Sequence, residues 1–88
     1  MAARFADCQD YTTFTSAVSL LDTNGRPAER LEVIAASGTS TVTVKTQGGG
    51  ATARVLGVVT GSVIEVGLLS LDAVANVTRV RAYWPLTV

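Results

Sequence analysis

The sequence predicts an all-β domain, a small antiparallel β-sandwich or jelly-roll-like fold of about six or seven strands. Three observations carry that prediction. Residues 31–69 read LEVIAASGTSTVTVKTQGGGATARVLGVVTGSVIEVGLL, four short runs in which apolar residues alternate with small or polar ones. The runs are separated by Ala-Ser-Gly-Thr, Gln-Gly-Gly-Gly and Thr-Gly-Ser, the punctuation of successive hairpins. Helix candidates are few.

Residues 1–10 have no clear period and are expected to be a flexible end, with a helical turn around residues 2–6 as the other option. Residues 11–14, YTTF, suit a short strand or an extended arm. Residues 1–15 therefore read as an N-terminal arm, flexible or docked on a neighbouring subunit, and residues 16–88 as a single β domain. SAVSLL at 16–21 is the first strand of that domain. DTNGRP at 22–27 is the strongest turn signal, because Asn24 and Gly25 tolerate positive φ and Pro27 fixes φ just beyond. A tight hairpin and a longer corner both fit, and the proline, which cannot donate to a ladder, argues for the corner.

Residues 29–35 form the next strand, with Leu31, Val33 and Ala35 on one face and Arg30, Glu32 and Ile34 on the other. In residues 40–46, Val42 and Val44 point inward and Thr41, Thr43 and Lys45 outward, the alternation of a half-buried strand. The triple glycine after Gln47 raises the entropy of the unfolded chain, so it must serve an unusual backbone angle or a close approach. With no following Lys-Ser/Thr and no helix, it does not read as a phosphate-cradling loop. Residues 51–59 place Val55 with Ala51 and Ala53 on one face, and Leu56 and Val58 with Arg54 on the other.

After the turn at 60–62, residues 63–69 are apolar on both faces, with Glu65 on one of them. A sheet apolar on both sides is covered on both sides, and the expected second cover is another subunit. SLDAVA at 70–75 reads as a loop or one helical turn capped by Asp72. In residues 76–84, Val80, Ala82 and Trp84 alternate with Arg79, Arg81 and Tyr83. The arginines are expected to be solvated or paired with carboxylates across the sheet, and Trp84 to plug a core or an interface. The interface candidates are Leu56, Val58, Val63, Leu69, Tyr83 and Trp84.

Composition narrows the function classes. Eighty-eight residues make one domain, marginal by itself unless something staples it. The single cysteine, Cys8, excludes an intrachain disulfide and is expected to be a free thiol. There is no histidine, and the seven carboxylates are scattered, so no metal or cofactor is expected. Oligomerisation remains as the staple, and a chain 48% hydrophobic and 16% charged favours it. Seven basic and seven acidic residues leave no basic face for nucleic acid. No secretory leader is evident and no apolar run reaches membrane-spanning length, so the protein is expected to be made in a cytoplasm and to have no membrane partner. Without histidine the usual triads are missing, and nothing brings two of Glu29, Glu32, Glu65 and Asp72 into a cleft, so the chain is not read as an enzyme.

A series of elements then matches a known pattern in order. They are the entry Glu29-Arg30-Leu31-Glu32-Val33, the turn Ser37-Gly38-Thr39, the strand Val42-Thr43-Val44 and the triple glycine 48–50. The apolar run 55–59, Thr60-Gly61-Ser62, Ile64-Glu65-Val66, Ala75-Asn76-Val77-Thr78 and a closing run 80–84 ending in Trp follow. Over this span, about two thirds of the chain, the sequence resembles small virion proteins of tailed phages and gene-transfer agents, of the spike-base or head-decoration type. It departs in carrying Ala35-Ala36 where that family often has Gly-x-Gly. The resemblance implies a homo-oligomer, a trimer for preference, that binds the major capsid protein or another virion protein and decorates or cements the capsid surface. Two other readings are a small carbohydrate- or receptor-binding tip module, with Trp84, Tyr83 or Tyr11 exposed beside Asp or Asn, and a tail-tube or connector component.

Overall fold

The two longest alternating stretches become the spine of the molecule. In a computed structural model, described over residues 5–50 and 52–85, the strands are β1 (Phe5–Tyr11), β2 (Val18–Ser19), β3 (Arg30–Thr46), β4 (Ala53–Val58), β5 (Val63–Ile64) and β6 (Leu68–Pro85). One 3-10 turn, Gln47–Gly49, links β3 to β4. Every pairing is antiparallel, and the order is β1-β6-β3-β4, with β2 on β6 and β5 on β3. The chain is all-β and antiparallel, as its patterning predicts, and the six strands are hydrogen-bonded into one sheet.

β3 and β6, 17 and 18 residues long, pair from end to end. A straight strand of that length would reach about 60 Å, but the longest dimension of the molecule is 40 Å. The ribbon is therefore bent, and its register locates the bend. Ala36 pairs with Val77 and the next pair is Thr41 with Ala75, so residues 37–40 face the single residue Asn76. Gly38 (φ 60°) and Asn76 (φ 57°) adopt left-handed conformations on the two sides of this bulge. The hydroxyl of buried Ser40 lies 2.8 Å from the Ser37 carbonyl it donates to, and Asn76 Nδ2 donates to the Thr39 carbonyl at 2.6 Å. Bending brings both ends of β6 to one short segment: Ala28 bridges Leu68, while the Glu29 amide donates to the Tyr83 carbonyl at 2.9 Å.

The core lies on the inner face of the folded ribbon. Leu31, Val33, Val42 and Val44 of β3 meet Leu68, Leu71, Val80 and Ala82 of β6, with Leu20 and Ala28 between them, all essentially inaccessible to solvent. Each large apolar side chain buried there contributes about 1.5–3 kcal/mol. Trp84 completes the cluster, its indole Nε1 donating to the Leu20 carbonyl at 3.0 Å.

Of the three expected hairpin turns, only the glycine-rich one after β3 reverses the chain. There Gly50 has φ 63° and ψ −131°, a conformation closed to side-chain-bearing residues. Residues 36–39 are instead the bulge inside β3. Residues 60–62 join β4 to β5, which run in the same direction along β3. The cause is competition between partners: Val33 finds Val80, with which it buries a core contact, and a left-handed glycine serves a bulge as readily as a reversal. The turn at 60–62 is stitched across the bend. Thr60 Oγ1 donates to the Ala36 carbonyl and accepts from the Ala36 amide, each at 3.0 Å, and Gly61 donates its amide to Val33 O at 2.8 Å.

Residues 70–75 are strand rather than loop or helical turn. Ala73 and Ala75 sit opposite Thr43 and Thr41 on the outer face, and Asp72 reaches Lys45 (3.8 Å) instead of capping a helix. Residues 22–27 make the tight hairpin and not the corner. Leu21 bridges Pro27, and the ladder uses the Arg26 carbonyl and the Ala28 amide on either side, so the missing proline N–H costs nothing. Residues 5–11 of the expected arm form β1 on the chain's own β6. The rest of residues 1–15 divides between residues 1–4, which lie outside the described residues, and residues 12–15, which join β1 to β2.

Candidate interface

The outer face and the β4 edge are where apolar groups remain uncovered. β4 lies at the end of the strand order, so one side of its backbone pairs with β3 and, among the described residues, no strand pairs with the other. Its alternation splits the side chains. Leu56 opposes Val42 and Val58 opposes Ser40 on the inner face, while Ala53, Val55 and Gly57 oppose Lys45, Thr43 and Thr41 on the outer face. Val55 is 66% exposed and Val59, just beyond the strand, 65%. Val63 and Val66 follow along the same β4–β5 margin, each close to half exposed. Single exposed apolar residues are ordinary; here four valines stand within twelve residues along one margin of the sheet.

The six residues nominated from sequence divide between core and surface. Trp84 and Val58 are buried in the core, and Leu56 is half-buried and packs against it. Leu69 is half-buried near the start of β6. Val63 is the one of the six that stands with the exposed valines. Val55, Val59 and Val66 were not nominated. The signal for Val55 was present in its register: counted back through the glycine turn, Val55 falls opposite Thr43, which alternation already placed outward.

Tyr83 belongs to a separate polar cluster on the outer face. Its hydroxyl donates to Glu32 Oε1 at 2.7 Å, which holds the phenol above its ordinary pKa, and the Arg30 guanidinium lies 5.7 Å from its ring centroid. Arg30 also reaches Glu65 at 2.9 Å. Both arginines of the closing strand pair across the sheet with Asp10. Arg81 donates to both of its oxygens, and Arg79 lies 3.9 Å away. The Arg81 hydrogen bond, ahead of the charges of Arg81 and Arg79, keeps the Asp10 carboxyl below the usual carboxylate range.

Two shallow depressions flank these surfaces. One, about 310 Å³, lies over the bend between Gly38, Ser40, Val58 and Ser62. The other, about 370 Å³, lies under β1 between Asp7, Gln9, Tyr11, Ser19 and Thr23. Among the described residues no three His, Cys, Asp or Glu side chains gather as metal ligands. Among the same residues no helix is long and apolar enough to cross a membrane. Comparison with protein-family models, with curated proteins and with solved structures finds no match.

Proposed function

We propose that the chain is a structural virion protein of a tailed phage, a decoration or cement protein that assembles as a homotrimer on the capsid surface and stabilises the head through the major capsid protein. The observation that carries this reading is the open β4–β5 margin with Val55, Val59, Val63 and Val66, on a fold whose own core is complete without them. A rigid small domain with uncovered apolar contact surface is built for assembly, and the sequence resemblance points the assembly towards a virion. The test has two stages. Light scattering on a sizing column is expected to return three times the 9.1 kDa mass of the chain. The purified oligomer is then expected to co-sediment with phage heads assembled without it and to raise their resistance to heat. A monomer that ignores such heads overturns the proposal.

The groove under β1 supports a second reading. Half-buried Tyr11 beside Asp7 and Gln9 has the composition of a small glycan site, and Trp84, though buried in the core, reaches the groove's lining. A glycan array with a monomeric protein would show it.

A further inference from the structure

Among the described residues no strand covers either edge of the sheet, and the two edges carry opposite charges without an ion-pair partner. β1 forms one edge and β4 the other. Of the described cations, Arg26 pairs with Asp22, Arg30 with Glu65, Lys45 with Asp72, and Arg79 and Arg81 with Asp10. Arg54, exposed on β4, is the one described cation with no ion pair. On β1, the carboxylate of exposed Asp7 has no cation among the described residues; its Oδ1 accepts the amide of Cys8 at 2.9 Å. That amide is thus held by the neighbouring side chain.

We infer that β4 of one copy pairs antiparallel with β1 of the next, with Arg54 opposite Asp7 of the partner subunit. Strand direction fits. Neighbours alternate all the way from β1 to β4, so a copy related by rotation presents its β1 antiparallel to β4 and continues the alternation. The faces fit as well. Asp7 opposes Trp84 and Arg54 opposes Val44, which places both on the inner side of their strands. Cys8 opposes Tyr83 and Ala53 opposes Lys45, which places both on the outer side. The register that joins Arg54 to Asp7 therefore joins Ala53 to Cys8, and strands of six and seven residues match in length. On pairing, the Cys8 amide takes a main-chain carbonyl of β4, and the Asp7 carboxylate is released to the guanidinium. A two-fold β4–β4 contact gives Arg54 no carboxylate and leaves β1 open. The head-to-tail seam consumes both edges and ends when the ring closes.

This inference rests on the homo-oligomeric part of the proposed function. Its test uses the native thiol at the seam. The Ala53→Cys variant of the full chain, mildly oxidised, is expected to give covalent multimers on a non-reducing gel, because opposed strand residues lie within disulfide reach. Adding Cys8→Ser is expected to abolish them. Covalent dimers that survive Cys8→Ser would overturn the seam in favour of β4 on β4. A full-mass oligomer with no cross-link would overturn the seam and leave the oligomer standing; a monomer by light scattering would overturn both. As a second measurement, Arg54→Glu and Asp7→Lys should each weaken association about tenfold, and the two together in one chain should restore it. Unchanged association in both single variants also overturns the seam.

Discussion

Trp84 holds two structural tasks in one side chain. Its ring fills the end of the core, and its Nε1 occupies the Leu20 carbonyl in the loop that crosses both ends of β6. Trp84→Ala is expected to cost about 3–5 kcal/mol, lost burial and cavity together. Trp84→Phe keeps most of the apolar contact and should cost less, its main loss being one of the two hydrogen bonds that the Leu20 carbonyl accepts, because the Ala28 amide still donates to it. Urea titrations followed by far-ultraviolet circular dichroism read both variants, and equal costs would mean that the indole hydrogen bond contributes nothing. The alternation of Val80, Ala82 and Trp84 with charged or polar neighbours made this placement legible in the sequence. The partner at Leu20 was not, because a carbonyl acceptor has no side-chain signature.

At the scale of elements, the sequence disclosed strands better than it disclosed connections. The inward positions of β3, at Leu31, Val33, Val42 and Val44, follow from alternation and are all buried. What alternation does not encode is whether a glycine reverses the chain or bends it. Gly38 and Gly50 have nearly the same φ, yet one sits in a bulge and the other closes a hairpin. Asn76 gave no warning of its left-handed conformation, since asparagine is also common in ordinary turns. The margin of exposed valines was legible only in part, because burial of Val58 and exposure of Val55 are decided by which face of β3 each meets.

β1 is likewise held by long-range partners, its ladder with β6 and the Asp10 ion pairs that cross it. A carboxylate whose folded pKa is depressed adds stability above its unfolded value, near pH 4, and that stability is lost as pH falls through the folded value. Stability should therefore decline on acidification below about pH 4, and Asp10→Asn should flatten that decline. Asp22, lowered by amides of its own turn, keeps a residual slope of the same sign. Identical acid limits in wild type and Asp10→Asn would remove the pair from the account.

For the whole molecule, the radius of gyration of 12.2 Å matches the roughly 12 Å of a compact chain this long. A single copy is therefore already closed around its core. Closure is achieved almost wholly by distant partners: Tyr11 pairs with Val80 and Arg30 with Tyr83. Such topology folds in milliseconds to seconds, and stopped-flow refolding monitored by the fluorescence of Trp84 should fall in that range. A microsecond phase carrying the full amplitude would contradict it.

The position of β6 has a consequence for synthesis. It pairs with β1, β2 and β3, yet it is the last of these strands to leave the ribosome. The hairpin of β3 and β4 can form early, but β1 must wait on the order of ten seconds for its partner at ordinary translation rates. During that interval both β1 and the β6-facing side of β3 are unpaired. The nascent chain is most exposed to stray strand pairing while it is still being made, and crowded polysomes translating this message would be the place where unpaired strands of neighbouring copies meet.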